Sequence, residues 1–377
     1  MAHSNLIQDM VSKLLPSNNT LFGLLSLMLM HDALAASEDV SKNNLQINGF
    51  VAGTFVNTKN EISYPSFEFG TGVSYTVSNS FSAHTSINVR DDSRKIDTLF
   101  LEYETPIHEL VNVNIQVGKN KSYLGLSNYA RFYPPSRTFI VMPQAIYWNT
   151  MDELVGSATG FKISLKHDSG VAIQFGKSKN DIHDSKPINE STFIPGKISK
   201  SNNTFYGITY TGNSIYMGVQ RIRFQLTSDG IGNQNDIFNR PYLDMNLIFA
   251  KYSFGDNEIA FENMISGSSL NSLDGNSKHQ SSYSVIVSHR INEKIKLNLA
   301  YDKTSYNHKS ELQGMPNKNS TSEKIIGVTF KNAFVNNLTI KLEHHFVNGV
   351  SWLSSEGNQN GFKNPWDFSM CQVIYEF

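Results

Sequence analysis

The sequence predicts an all-β fold: a transmembrane antiparallel β-barrel of about 16 strands, with one long loop after strand 5 folded inward. Three observations predict it. Segments of about ten residues alternate apolar and polar side chains with period two, the pattern of a sheet with one apolar and one polar face. Short polar turns alternate with long connections along the chain. The final stretch, Asp367–Phe377 (D-F-S-M-C-Q-V-I-Y-E-F), puts Cys371, Val373, Tyr375 and Phe377 on one face and stops on an aromatic. An open edge there would invite pairing with other chains, whereas pairing with the first strand closes a barrel. Met370 and Ile374 fall on the opposite face and blur the contrast.

Composition narrows the class. Lys+Arg 32 against Asp+Glu 33 leaves no sequence-wide field, so nucleic acid is not indicated as a partner. No run approaches the roughly 18 apolar residues of a membrane helix. A mean hydropathy of −0.31 is compatible with a membrane barrel, whose lumen face is polar. The single cysteine, Cys371, excludes an intramolecular disulfide and a multi-cysteine metal site, and is expected as a buried or lipid-facing thiol. Leu21–Met30 is an apolar core too short to span a bilayer, and Ala33-Leu34-Ala35 is an A-x-A cleavage signature. Residues 1–35 are therefore expected as a signal peptide and 36–377 as the barrel domain, with Met10 an alternative start and a buried N-terminal helix the other reading.

The mature chain then unrolls as strands. Phe67–Val77, Phe81–Arg90 and Val111–Val117 alternate most cleanly. Counting on, strands fall near 45–56, 67–77, 81–90, 96–105, 111–118, 158–167, 171–178, 204–212, 214–226, 242–254, 258–265, 283–291, 295–303, 324–331, 338–346 and 367–377. Two of them change phase. The apolar set of 214–226 moves from Ile215, Met217 and Val219 to Ile222, Phe224 and Leu226, which suggests a bulge near Gln220-Arg221. Segment 242–254 shifts similarly around Ala250-Lys251. Short turns such as Val77–Ser80, Gly212-Asn213 and Gly255–Asn257 alternate with long stretches such as 179–203, 266–282, 304–323 and 347–366. Segregation of loop length by parity is what a membrane barrel does, with tight turns at one rim and extended loops at the other. Ser74, His84, Asn88, Asn114 and Gln174 are expected in the lumen. Phe81, Tyr103, Phe254, Phe261, Tyr301, Phe346 and Phe377 are expected at the lipid interfaces.

Lys119–Ser157 is the longest connection and is rich in aromatic residues, including Phe132, Tyr133, Phe139, Tyr147 and Trp148. Such a loop needs a surface to pack on, and the bore supplies one. Charged candidates in or beside it are Lys119, Lys121, Arg131 and Arg137, against Asp152 and Glu153. Wall positions assigned to the lumen add Arg90, Lys162, Lys166, Arg223, Arg290, Lys296 and Lys341, opposed by Glu102, Glu104, Glu262 and Glu343. Fixed charges at a constriction enrich counter-charged solutes, and the loop balance favours anions modestly. Each of these charges has a second reading as an ion pair that only fixes the loop in place.

The terminal strand resembles the C-terminal signature of Gram-negative outer-membrane barrels, which implies recognition by the barrel-assembly machinery. Val117-Gly118-Lys119-Asn120-Lys121, Gly125-Leu126-Ser127-Asn128, Arg131 and Pro143-Gln144-Ala145-Ile146-Tyr147 resemble the constricting third loop of phosphate-selective and dicarboxylate-type sixteen-stranded porins. Lys119, Tyr123 and Ser127 depart from that pattern, which leaves the substrate open. The resemblance implies an outer-membrane channel for small hydrophilic solutes and ions, in contact with outer-membrane lipid and assembled as a homotrimer. Two other classes stay open: an exported soluble all-β binding protein and an outer-membrane barrel enzyme. No P-loop, G-x-S-x-G or H-E-x-x-H motif is present, so no cofactor, metal or catalytic residue is assigned. His344-His345 alternates faces, leaving one histidine in the lumen.

Overall fold

The computed structural model describes residues 44–58, 66–91, 93–122, 124–147, 152–183, 197–228, 241–269, 277–308, 318–349 and 365–377. The expected signal peptide, residues 1–35, lies outside them, as do Trp148 and the side chains of Asp152 and Glu153.

Sixteen strands follow one another: β1 (Leu45–Asn57), β2 (Phe67–Ser78), β3 (Phe81–Arg90), β4 (Ser93–His108), β5 (Val111–Lys121), β6 (Ser157–His167), β7 (Val171–Asp181), β8 (Ile198–Thr211), β9 (Ile215–Ser228), β10 (Tyr242–Phe254), β11 (Asn257–Ser269), β12 (Ser277–Arg290), β13 (Ile295–His308), β14 (Lys318–Lys331), β15 (Leu338–Asn348) and β16 (Trp366–Glu376). Each pairs antiparallel with its sequence neighbours, and β16 pairs with β1, so the sheet is a closed barrel. Strands extend beyond their expected bounds mainly at the long-loop rim, β8 by six residues from 204 to Ile198. Polar alternation weakens there, because both faces leave the hydrocarbon and no longer need to differ.

The two faces separate as period-two alternation demands. Leu99, Leu101, Ile173, Ile208, Ile248, Leu299 and Ile326 stand outward and exposed. Polar Asn114, Ser164, Thr209, Ser284 and Asn298 stand inward and buried. A closed wall with this exterior is stable only where hydrocarbon covers it. That disposes of the soluble alternative.

The bulge expected near Gln220-Arg221 is absent: β9 keeps an unbroken register with β8 and β10 through that point. The β10 register is likewise continuous across Ala250-Lys251. The apolar residues change face for another reason. Ile215, Met217 and Val219 face outward near the short-turn rim. Higher up, Ile222, Phe224, Leu226, Leu243, Met245 and Leu247 face inward and join Leu124, Met142, Ile146 and Tyr147 of the loop after β5 in one buried cluster. Inward apolar residues mark where the wall is covered by that loop. Met370 and Ile374 of β16 obey the same rule: Met370 packs with Ile140 and Val141, and Ile374 with Phe50 beside Tyr133. The bulges that do occur include one in β4, where Ile96 and Thr98 pair with successive β3 residues and Asp97 is left over.

An arginine at the exposed outward position Ile248 should destabilise the barrel by about 2–4 kcal/mol, and an arginine at inward Gln174 far less. Urea unfolding in lipid vesicles measures both, and equal losses would contradict these two facings.

Candidate functional site

The connection from Ser122 to Gly156, termed L3, lies across the bore. Its groups bond to inward-facing side chains on strands around most of the wall. Gly125 N–H donates to Gln220 Oε1 at 2.9 Å and Leu126 N–H to Glu262 Oε1 at 2.6 Å. The Ile140 N–H donates to Glu343 on β15, and Asn298 on β13 donates to the Thr138 carbonyl at 3.4 Å. On the facing side, Asn88 of β3 donates to the Phe132 carbonyl at 3.1 Å.

Local sequence explains the shape of L3. Gly125 has φ +59°, and a Cβ there would collide with Glu262 Oε1, so the glycine of G-L-S-N is required twice over. Asn128 closes the neck, donating to the carbonyls of Ser122 and Val155, both at 2.8 Å. In P-Q-A-I-Y, Tyr147 N–H donates back to the Pro143 carbonyl at 2.9 Å, a single helical turn. That turn aims the Tyr147 hydroxyl at Glu262, and the same oxygen accepts from Ser127 N–H at 2.8 Å. Burial, reinforced by the Glu262 carboxylate, holds the Tyr147 phenol well above its ordinary pKa. Tyr133 is raised by burial and by Glu376. Four apolar clusters complete the packing, with Phe139 set against Ile286, Ala300 and Ile325 in one of them.

The charges chosen from the sequence divide into four groups. Arg131, Arg137 and Lys341 are buried in the contact between loop and wall. Arg131 Nε donates to Asn128 Oδ1 at 2.8 Å. Arg137 pairs with buried Glu68 at 3.1 Å and donates to the Ala130, Ile140 and Arg131 carbonyls. Lys341 donates to the carbonyls of Pro134 at 2.9 Å and Arg137 at 2.6 Å. Glu262 and Glu343 hold loop amides, as described above. Arg90 pairs with Glu68 at 2.9 Å, donates to the Arg131 carbonyl and lies 4.7 Å over the Phe132 ring. Lys121, at the loop root, pairs with the left-over Asp97 at 3.1 Å and donates to the Tyr129 carbonyl at 2.6 Å.

A second group lies on the inner face of β3–β6. Glu102 accepts from Asn114 and from Gln116, and stands 3.2 Å from His84. Glu104 faces Lys166 across β5 at 3.4 Å. Lys162, within electrostatic reach of Glu102, lines a recess of about 40 Å³ at the root of L3 with Asn120 and Asn203. The third group is at the short-turn mouth, where Arg290 and Lys296 stand directly opposite each other on β12 and β13.

The fourth group comprises two residues whose expected placement is corrected. Arg223 faces outward, where it pairs with Asp244 at 2.6 Å and lies 5.0 Å over Tyr242. Alternation alone points it inward, because the apolar residues of β9 switch face without a bulge. Lys119 also faces outward, opposite exposed Leu99, and donates to the Ile96 carbonyl at 2.6 Å. β5 runs on to Lys121, so Lys119 shares the face of Val117 rather than entering the loop.

Sequence reasoning missed Glu68, Lys251 and Lys331. Glu68 was visible as the one acid on the polar face of strand 2, but its two arginine partners are remote in sequence. Lys251 was obscured by the supposed phase shift.

No protein-family model matches the chain, and no curated protein matches it in sequence. Solved structures match its shape. OmpT of Vibrio cholerae, an outer-membrane protein, matches with a TM-score of 0.61 at 13% identity, over 90% of this chain and 99% of that one. Salmonella typhi OmpF, solved with daunomycin, gives 0.63 at 12% identity, over 89% and 98%. An anion-selective porin from Comamonas acidovorans gives 0.57 at 10% identity, over 88% and 99%.

Gly125→Ala should loosen L3, at a cost of about 1–3 kcal/mol from strain and displacement of Glu262. Gly255→Ala, also at positive φ (+56°) but with open space around it, should leave L3 protection from protease unchanged. Equal protease sensitivity of the two variants would argue against the tight seat at Gly125. With its loop seated across a closed wall of sixteen antiparallel strands, the chain has the fold of Gram-negative outer-membrane porins.

Proposed function

We propose that the protein is an outer-membrane channel for passive diffusion of small hydrophilic solutes and ions, with a mild preference for anions. The observation that carries the reading is a wide closed barrel narrowed by an anchored loop, beside a polar inner arc on β3–β6. Apolar packing and ion pairs fix L3 to the rest of the wall, and Asn88 and Arg90 tie it to the end of β3, so the polar face of β3–β6 below that contact is the side on which water and solute can pass.

Anion preference is supported at the short-turn mouth. Lys251, Arg290 and Lys331 all lie within electrostatic reach of Lys296, and Glu258 is the acid among them. Glu258 stands 2.8 Å from Lys251 and 3.9 Å from Lys296. Like charges directly opposite in an antiparallel pair are destabilising, so the Arg290–Lys296 pair costs the sheet stability. In a bore with low-dielectric walls the same cations raise the local anion concentration, an effect that salt weakens. Removal of residues 1–35 as a signal peptide, delivery by the barrel-assembly machinery and homotrimer formation belong to the same reading. A channel role also accounts for the polar arc without invoking catalysis.

In planar bilayers under a salt gradient, the wild-type protein should give a reversal potential of anion sign that shrinks as salt rises. The double variant Arg290→Glu/Lys296→Glu should move it toward cations, whereas Arg137→Gln, sequestered in the loop contact, should alter stability and not sign. Clear cation preference of the wild type would end the anion reading, and absence of conductance would end the channel reading.

A further inference from the structure

L3 crosses the bore between residues 126 and 132. Leu126 is held by Glu262 of β11, and the Arg131 and Phe132 carbonyls accept from Arg90 and Asn88 of β3. Between residues 124 and 147 the charged side chains are Arg131 and Arg137, and both are buried. The exposed side chains of that stretch are Tyr129 and Ser136. Tyr129 sits midway along the crossing and is 62% exposed, whereas Phe139 and Tyr147 are at most 2% exposed. Its carbonyl accepts from Lys121 at 2.6 Å, which keeps it on the β5 side. An aromatic ring, rather than a charge, is what the crossing offers to a passing solute.

The wall beside Tyr129 has groups of a complementary kind. The small recess at the root of L3 lies next to Lys121 and is bounded by Gly160 and Gly176, which leave the backbone bare. Asn120 Nδ2 and Asn203 Oδ1 are buried on its lining, and among the described residues neither atom has a hydrogen-bond partner. One is a donor and the other an acceptor. An anion satisfies only the first and a cation only the second, whereas an alcohol hydroxyl satisfies both. A volume of about 40 Å³ has room for one hydroxymethyl arm. Further along the inner face, Gln116 stands in register between Glu102 and Lys162, and Asn114 between Glu104 and Ser164. Lys162 and His84 answer Glu102, and Lys166 answers Glu104, so these rows supply donors and acceptors with little net charge.

We propose that this passage binds a neutral pyranose sugar. One face of the ring lies on Tyr129, the hydroxymethyl arm enters the recess between Asn120 and Asn203, and ring hydroxyls reach Gln116 and Glu102. A pyranose has a flat C–H face and an edge of hydroxyls, the same division as that between the loop's phenol and the wall's amides. Aromatic packing with a few placed polar groups is the ordinary chemistry of a small-molecule site. The site rests on the channel reading for access of the solute. It is separate from the cations at the short-turn mouth, which bias ions and have no hold on an uncharged ring.

In planar bilayers, D-glucose should lower the ion current of the wild type along a saturating curve. D-xylose, which lacks the hydroxymethyl arm, should bind about ten-fold more weakly. Tyr129→Leu should weaken glucose binding about ten-fold, Tyr129→Phe should preserve it, and Ser136→Ala, at the other exposed position of the loop, should match the wild type. Asn203→Leu should remove the difference between the two sugars. Saturation-transfer NMR on the full-length protein in micelles, which needs no conduction, should mark the C–H protons of glucose, and the mark should fade in Tyr129→Leu. A protein that conducts but shows only a linear, viscosity-like fall with glucose would overturn the sugar site and leave the channel reading standing. Glucose marked in micelles by a protein that does not conduct would do the reverse. Equal binding of glucose and xylose by the wild type, or saturating block by inorganic phosphate in place of glucose, would also overturn the proposal.

Discussion

Hydrocarbon offers a backbone N–H or C=O no hydrogen-bond partner, so a sheet immersed in it can have no free edge. The seam between β1 and β16 is where this chain meets that demand. Gly49 and Phe377 exchange backbone hydrogen bonds at 2.9 and 3.0 Å at its lower end, and pairing continues upward to Asn57 and Ser369. Gly49 is needed there because a Cβ would collide with the Phe377 ring, which stacks toward Phe69 at 6.3 Å. Closure decides everything that follows, since only a closed wall has an inside for L3 and an outside for lipid.

Closure of sixteen strands leaves a bore that wall side chains alone cannot fill. L3 fills much of it, and its attachment is unusual in relying on buried carboxylates. Glu68, Glu262 and Glu343 are each at most 5% exposed, and each faces loop groups: Arg137, the Leu126 amide with the Tyr147 hydroxyl, and the Ile140 amide. Desolvating a charge is expensive unless several donors answer it, and a network that does so fixes a single geometry. Apolar packing alone would permit the loop to slide along the wall. Buried acids facing fixed amides set its register, and with it its position relative to the polar arc on β3–β6.

Basic residues then serve different surroundings according to height and face. Arg137 and Lys341 are internal struts. Arg290 and Lys296 at the short-turn mouth face water within low-dielectric walls. Lys303 and Lys324 stand on the outward face of β13 and β14. The residue types are the same; the phase of the strand and its height in the membrane separate their roles.

The strand number, the closure and the inward loop were legible in the sequence because each has a one-dimensional signature: period-two alternation, loop length by parity, and a long aromatic insertion after strand 5. The motifs G-L-S-N and P-Q-A-I-Y were legible as marks of that loop, although their geometric purpose was not. Which face of β9 and β10 turns inward was decided only in three dimensions. Alternation reports that two faces differ, and it assumes that the apolar face meets lipid. Where L3 covers the wall, the inner face is apolar too, so Ile222 and Leu243 point in and Arg223 points out. Ion pairs such as Glu68–Arg137 were invisible for a related reason: their partners are brought together by closure and loop insertion, and neither leaves a trace in sequence spacing.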